Sequence, residues 1–172
     1  MTQLDHPKGD VVAEKKPDGR RTLRVLVTGS RNWTSADCIS MALHDIADYA
    51  RAHGRLMVLI HGDCPTGADN IAKLWVTMQN MMAEDGGLAR TVCEDPYPAA
   101  WHNGRSAGIR RNEEMVESGA DVCLAFICDN SPGATHCSNL ARSRGIPTVV
   151  WSTTAARSIE GPGMNWAREL TP

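Results

Sequence analysis

Short apolar runs that stop near a glycine alternate with longer segments of helical period along most of this chain. Residues 24–28 (RVLVT) and 56–60 (LMVLI) are such runs, and Gly29 and Gly62 follow them. Between them, apolar residues recur at steps of four, three and four from Ile39 to Ala50. Buried parallel strands read as continuous apolar runs, whereas amphipathic helices repeat every three to four residues. The alternation therefore predicts an α/β domain.

The same rhythm continues toward the carboxyl end of the sequence. It predicts a helix capped by Thr34 or Ser35, a helix over 67–83, a strand over 89–93, a helix over 105–118, a strand over 121–128, a helix over 133–144 and a strand over 146–151. Five strands that alternate with four helices favour a single Rossmann-like, doubly wound domain. Its sheet would be mainly parallel, with about five strands, and right-handed crossovers would place helices on both faces.

The pattern also divides the 172 residues into three parts. Residues 1–23 are charged, contain two Pro-x-Gly sequences that break regular structure, and offer little apolar surface. We therefore expect a flexible N-terminal tail. Residues 24–151 form the predicted α/β domain. Residues 152–172 are a C-terminal extension, in which Trp166 and Leu170 lie four residues apart and suit a short docked helix.

Composition removes several function classes. The net charge of −2 and the single Phe argue against nucleic acid as a partner, because such proteins use basic patches or exposed aromatic platforms. No apolar run approaches the roughly 20 residues of a membrane span, and the charged N-terminus lacks an apolar signal segment. No pair among the six Cys forms C-x-x-C, and the six His are scattered. We therefore expect a cytoplasmic protein with neither metal nor other cofactor.

The candidate ligand residues cluster in three turns that combine glycine with a hydroxyl residue. Ligands of open α/β sheets bind beyond the carboxyl ends of strands, and free N–H groups at helix starts favour anions. These turns therefore predict a phosphate-bearing ligand, most plausibly a nucleotide. The P-loop, the Rossmann G-x-G-x-x-G and the G-x-S-x-G signatures are absent. The turn residues proposed as ligand contacts are Gly29, Ser30, Arg31, Gly62, Asp63, Thr66, Gly67, Asp69, Gly133, Ala134 and Thr135.

Residues 101–115 (WHNGRSAGIRRNEEM) add basic side chains near a helix start. Arg105 and Arg111, flanked by small residues, and Asn112 are proposed as phosphate ligands, because Arg binds phosphate in a bidentate manner. Arg110 is the third arginine of this stretch, and it either binds phosphate as well or is a solvated residue that pairs with Glu114.

Carboxylates and imidazoles near the turns suggest further roles. Asp63 and Asp69 are candidates for a ribose hydroxyl, although Asp69 also suits the first turn of a helix. His61 and His136 are acid–base candidates that more often have structural roles. No catalytic residue is assigned, and Arg111 and Asp63 are the candidates.

Taken in order, residues 28–31 (TGSR), 62–69 (GDCPTGAD), 104–115 (GRSAGIRRNEEM), 119–122 (GADV) and 141–147 (ARSRGIP) resemble the YspA, cpYpsA-related branch of the SLOG superfamily. The resemblance spans about residues 24–151. It implies a Rossmann-like fold whose Gly-rich turns bind nucleotides or nucleotide-derived ligands, in a branch often carried by actinobacteria and their phages.

The resemblance also implies a homodimer, or a higher homo-oligomer, that pairs through helices beside the site. Trp75, Met78, Met81 and Met82 would supply an adaptable apolar contact, with a buried core helix as the alternative.

A more distant similarity is to LONELY GUY type phosphoribohydrolases, which cleave nucleoside monophosphates. Their Arg four residues before a Met matches Arg111 and Met115, but their P-G-G-x-G-T-x-x-E stretch corresponds to residues 131–138 (SPGATHCS), which lack the Gly doublet. The Glu position falls on Cys137 or Ser138. Cleavage of an N-glycosidic bond needs a carboxylate near the ribose, so Asp63, Asp69 or Glu114 would have to replace it.

Two hypotheses remain. The first is a module that binds a nucleotide-type ligand in order to sense, sequester or deliver it. The second is a hydrolase that cleaves the N-glycosidic or phosphate part of such a ligand.

Overall fold

A computed structural model describes residues 21–104, 106–153, 158–163 and 166–169. The predicted tail falls outside these residues as far as position 20, but Thr22 and Leu23 belong to the first strand rather than to the tail. Arg105, a proposed phosphate ligand, and Leu170 also lie outside the described residues.

The described residues form a sheet of six strands with four α-helices. The strands are β1 (Thr22–Gly29), β2 (Leu56–His61), β3 (Val92–Pro96), β4 (Val122–Ile127), β5 (Thr148–Thr153) and β6 (Ile159–Glu160). The helices are α1 (Ala36–Ala52), α2 (Gly67–Asp85), α3 (Ala107–Glu117) and α4 (Pro132–Ser143), with short 3₁₀ helices at Trp101–Asn103 and Trp166–Glu169.

The strand order is β3-β2-β1-β4-β5-β6, and the first five strands run parallel. This confirms the predicted Rossmann-like, doubly wound α/β fold. The short β6 is an antiparallel addition from the C-terminal segment, where Ser152 pairs with Glu160. The sequence pattern missed it because two residues carry no periodicity.

Two strands lie two or three residues later than predicted. β3 is at the edge of the sheet, where Glu94 is exposed beside the buried Val92, so polar residues continue the strand beyond its apolar start. β5 begins after Pro147, which accepts a hydrogen bond from Cys123 N–H but has no N–H of its own to extend the ladder.

Each face of the sheet has its own core because neighbouring strand residues point in opposite directions. Val25 and Val27 of β1 face α1 and α2, whose Leu43 and Ala72 belong to the same apolar cluster. Leu26 of β1 faces the other way, into a smaller cluster with residues of α3 and α4. Helices therefore cover both faces, as predicted.

Four large aromatic residues, Trp33, Phe126, Trp151 and Trp166, pack together inside the first core. Phe126 lies between Trp33 and Trp151, with ring centroids 5.5 Å and 4.9 Å away. Trp151 in turn meets Trp166 of the last 3₁₀ helix edge-on at 5.7 Å. The C-terminal segment is thus held on the domain by this aromatic stack.

The apolar residues of α2 divide between core and surface. Trp75 is buried and belongs to the core, so the buried alternative holds for this residue. Met78, Met81 and Met82 are exposed beside Leu74. The homodimer expected through this surface stays a prediction.

Among the described residues, no helix combines the length and the apolar composition that a membrane-spanning segment requires.

Candidate functional site

A cavity of about 550 Å³ opens at the carboxyl ends of β1 and β4. The chain changes direction in the sheet between these two neighbouring strands, and such a switch point leaves a crevice where ligands bind in doubly wound folds. The cavity is lined by Thr28, Gly29, Arg31, Asn32, Cys64, Asp69, Trp101, Gly108, Ile109, Arg111, Asn112, Met115, Cys128, Asp129, Ser131, Gly133 and Ala134.

Arg111 of α3 is the cation held most firmly in this cavity, with 11% of its side chain exposed. Its Nη1 donates to the Gly62 carbonyl, and its Nε donates to Oδ1 of Asn112 at 3.0 Å. A Cβ on Gly62 would overlap the guanidinium, so the glycine permits this seat. Arg111 is therefore oriented before any ligand arrives.

Asn112 connects the two helices that border the cavity. The residue is buried, and its Nδ2 donates to the carbonyl of Gly133 in the first turn of α4 at 3.1 Å. Because both side-chain ends of Asn112 are used, its principal role is to fix Arg111 and α4 relative to each other.

The first turn of α4 faces the cavity. The helix starts at Pro132, and the preceding Ser131 makes no side-chain capping bond. Gly133 and Ala134 line the cavity, and the first N–H groups of a helix have no partner within the helix. A Cβ at Gly133 would meet nothing within 4 Å, so its backbone is open to close approach. This turn is suited to an anion.

Asp69 of α2 places a carboxylate in the wall beside Arg111. Its Oδ2 lies 3.9 Å from Arg111 Nη1 and accepts a hydrogen bond from the Cys64 N–H at 3.3 Å. Only 7% of the side chain is exposed. Burial raises the pKa of Asp69, and the neighbouring guanidinium opposes this only in part.

The outer wall contains the proposed contact Arg31, but its other residues, Trp101, Asn32, Cys128 and Asp129, were not proposed from the sequence as ligand contacts. Trp101 is half-exposed, and the Arg31 guanidinium carbon lies 5.2 Å from its ring centroid, a cation–π contact. Opposite them, Asn32 donates to Asp129 Oδ2 at 2.9 Å and accepts from the Cys128 thiol at 2.8 Å. Asp129 has a φ of 51°, a loop geometry that no periodic pattern signals.

A second cavity, of about 380 Å³, adjoins the first and shares Arg31, Cys64 and Trp101 with it. It holds Gly62, Asp63 and Thr66, so these three proposed contacts lie beside the main cavity rather than in it. The other residues that line it are Pro65, Pro98 and Ala99.

Asp63 is held in place within the second cavity. Lys73 Nζ donates to its Oδ1 at 2.8 Å and lowers the pKa of this carboxyl. The backbone N–H of Asp63 donates to Nδ1 of the buried His61, and Nε2 of His61 lies 3.1 Å from Oε2 of Glu94. These bonds give His61 a structural role at the end of β2.

Three proposed contacts lie outside both cavities. The Ser30 hydroxyl is buried and accepts a hydrogen bond from the Cys128 N–H at 2.9 Å. Gly67, with a φ of +70°, lets the start of α2 approach the Ser30 carbonyl closely. Thr135 lies one turn into α4 and does not line either cavity. Gly29, which does line the main cavity, also packs closely against Ala68.

The positions that correspond to the phosphoribohydrolase Glu do not supply a reactive group to the cavity. Cys137 is fully buried in the α3–α4 core, and burial raises the pKa of its thiol to about 11. Ser138 is buried as well and donates to the Thr135 carbonyl at 3.0 Å. Glu114 is exposed and lines neither cavity. Among the carboxylates considered as its replacement, Asp69 is the one in the main cavity.

The described residues hold no cluster of three His, Cys, Asp or Glu side chains suited to a metal ion.

Two comparisons with known proteins agree with this architecture. The model of the YspA, cpYpsA-related SLOG family matches residues 23–85, which include the turns after β1 and β2. The "Gene 61 protein" of Mycobacterium phage D29 is 39% identical over 127 residues, which cover 73% of this chain and 94% of that protein. This chain belongs to the YspA, cpYpsA-related SLOG family.

Membership of this SLOG family suggests a nucleotide-related ligand that is bound or processed. The phage relative agrees with the expectation of phage-carried members. No solved structure matches the chain.

Proposed function

We propose that this SLOG protein binds a nucleotide through its phosphate in the cavity at the ends of β1 and β4. The observation that carries the proposal is the convergence of Arg111 and the uncapped first turn of α4 on one cavity. A guanidinium and free helix N–H groups are the donors that phosphate oxygens prefer. Asn112 holds the two donors at a fixed separation, so little ordering is needed on binding.

The rest of the cavity suits the remainder of a nucleotide. Ile109 and Met115 give the α3 wall an apolar surface, and the Trp101 ring borders it. The Asp69 carboxylate lines the cavity and would accept a hydrogen bond from a ribose hydroxyl. A volume of about 550 Å³ is within the range of small-ligand sites.

Two neighbouring arginines of α3 provide the test. Arg111 lies in the cavity, whereas Arg110 is exposed and donates to the Asn103 carbonyl at 3.1 Å. We expect Arg111→Ala to weaken the binding of ADP, GDP or UDP by about 10- to 100-fold, the loss of a charged hydrogen bond of about 1.5–3 kcal/mol. Arg110→Ala is the matched control and should leave the affinity unchanged. Isothermal titration calorimetry at fixed salt measures both variants, and equal affinities would overturn the proposal.

Asp69 supports a second candidate function, hydrolysis of the bound nucleotide. It is a buried carboxylate with a raised pKa that lines the cavity beside Arg111. Such a group stabilises the positive charge that develops on ribose during N-glycosidic cleavage, or transfers a proton to the leaving group. The test is product analysis by chromatography after incubation with nucleoside monophosphates. Hydrolysis predicts free base from the wild type and none from Asp69→Asn, whereas binding without turnover in the wild type rejects it.

A further inference from the structure

We infer that the second cavity binds a sugar joined through the phosphates to the nucleotide in the first cavity. The inference rests on the proposed function and extends it to a ligand class, nucleotides that carry a sugar on a diphosphate. Its basis is the continuity of the two cavities at Arg31, Cys64 and Trp101. A ligand that crosses this boundary would remain in contact with the protein throughout.

The polar groups of the second cavity suit sugar hydroxyls. The Asp63 carboxylate is an acceptor, and its side chain is 31% exposed and thus accessible. Thr66 precedes α2 but makes no side-chain capping bond, so its hydroxyl is available to a ligand. A carboxylate and a hydroxyl within one small cavity match the diol of a sugar ring.

The charge of this cavity disfavours a second phosphate. Among the residues that line it, Asp63 is the acidic one and Arg31, at the boundary, is the basic one, whereas Lys73, which pairs with Asp63, does not line the cavity. An anionic group beside Asp63 and away from Arg31 would be repelled by the carboxylate. The boundary has the opposite character, because Arg31 lies there against the half-exposed Trp101 ring. Phosphates at the boundary and a neutral sugar beyond it fit this arrangement.

The backbone makes Asp63→Asn a clean substitution. Asp63 has a φ of 49°, and Asn is the other non-glycine residue that adopts this left-handed conformation readily. The N–H bond to His61 is retained, and the ion pair that is lost is partly exposed, so the fold should persist. Thr66→Val keeps the β-branched shape of the side chain and removes only the hydroxyl. Thr66 has an extended φ of −140°, a backbone conformation that the β-branched Val adopts readily.

The experiment compares ADP, GDP and UDP with ADP-ribose, GDP-mannose and UDP-glucose by titration calorimetry. For at least one pair, we expect the sugar to raise wild-type affinity about tenfold. Asp63→Asn and Thr66→Val should remove that gain and leave the affinity for the diphosphate alone unchanged. Asp48→Asn is the matched control, because Asp48 is also an exposed partner of a cation, Arg51, and lines neither cavity.

The outcomes separate the two proposals. Diphosphate binding with no gain from any sugar, or a gain that survives both substitutions, overturns the sugar site and leaves the proposed function standing. If none of the six compounds binds, the proposed function itself fails, and the sugar site fails with it. Melting temperatures within a few degrees of the wild type establish that each variant is folded.

Discussion

The two faces of the sheet share the same strands but differ in what covers them. On the α1–α2 face, a continuous apolar core extends from the edge strand β3 to the aromatic stack at Trp166. On the α3–α4 face, the core is smaller, and Arg111, Asn112 and the first turn of α4 turn toward a cavity. We therefore expect one face to contribute mainly to stability and the other, together with the start of α2, to supply the groups of the proposed binding site.

The helix starts show the same division. The Ser35 hydroxyl accepts from the Cys38 N–H and caps α1. The residues before α2, α3 and α4 make no such bond, and all three of these helices contribute residues to the main cavity. Functional sites commonly retain groups that would add stability if they were satisfied internally. The following predictions test this division.

The largest expected effect is on the α1–α2 face. Leu43 of α1 is fully buried in the large core. Leu43→Ala should lower the free energy of unfolding by about 2–5 kcal/mol, because it removes apolar contacts and leaves a cavity. Urea denaturation measures this loss. At a temperature where the variant is folded, its affinity for ADP, GDP or UDP should equal that of the wild type, and a parallel loss of affinity would contradict the division between the faces.

Gly62→Ala should act mainly on binding. The new Cβ would overlap the Arg111 guanidinium and displace it from its seat. We expect about a tenfold weaker affinity for the same diphosphates, with the domain still folded. Gly163→Ala is the control, because a Cβ there meets nothing within 4 Å. Calorimetric titration of both variants measures the effect, and an unchanged affinity in Gly62→Ala would show that the position of Arg111 does not matter.

Asp69→Asn should stabilise the protein at neutral pH. Burial raises the pKa of Asp69 in the folded state, so this side chain favours folding most below the ordinary carboxyl pKa. That contribution is lost as the pH rises through the raised pKa. Because Asn does not ionise, the variant's melting temperature should exceed that of the wild type at pH 7. The difference should shrink toward about pH 4, the ordinary Asp range.

Scanning calorimetry over this pH range provides the measurement. Asp48→Asn, at an exposed ion pair, should give no such pH-dependent gain. A melting temperature of Asp69→Asn that never exceeds the wild-type value would mean that Arg111 outweighs the cost of burial.

The smallest effect compares two capping positions. Ser35→Ala removes a capping bond and should cost about 1 kcal/mol of unfolding free energy. Thr66→Ala removes no side-chain capping bond and should cost clearly less. Urea denaturation of the pair measures the difference. Equal losses would indicate that the Thr66 hydroxyl caps α2 in solution.

The fold was predictable because it depends on strong local signals. The apolar runs of β1, β2 and β4 and the glycines that follow them determine the layers and the edge where the site lies. The edge strand β3 was misplaced because its exposed residues are polar. The two-residue β6 was not predicted, since pairing with β5 rather than any local pattern forms it.

The sequence pattern indicates the place of the candidate cavity where turns follow strands and where helices α3 and α4 lie beside them. Arg111, Asn112, Gly133 and Ala134 line one cavity, and their role as ligand contacts stays a prediction. The division into two cavities was not predictable, because it depends on the 3₁₀ helix that brings Trp101 against Arg31. The bonds of the Ser30 hydroxyl to the Cys128 backbone could not be predicted either, because the sequence does not show which backbone group a turn hydroxyl will meet.

Arg111 has a further consequence as a connection between sequence-distant parts of the domain. It lies on α3, bonds to a carbonyl 49 residues earlier and adjoins Asn112, which bonds to a carbonyl 21 residues later. The proposed anion seat, formed by Arg111 and the first turn of α4, thus combines segments on both sides of the switch point and requires the whole domain to be folded. A bound nucleotide would act as a clamp on the entire domain and raise its stability by RT ln(1 + [L]/Kd). A fragment that ends after α2 would lack the seat altogether.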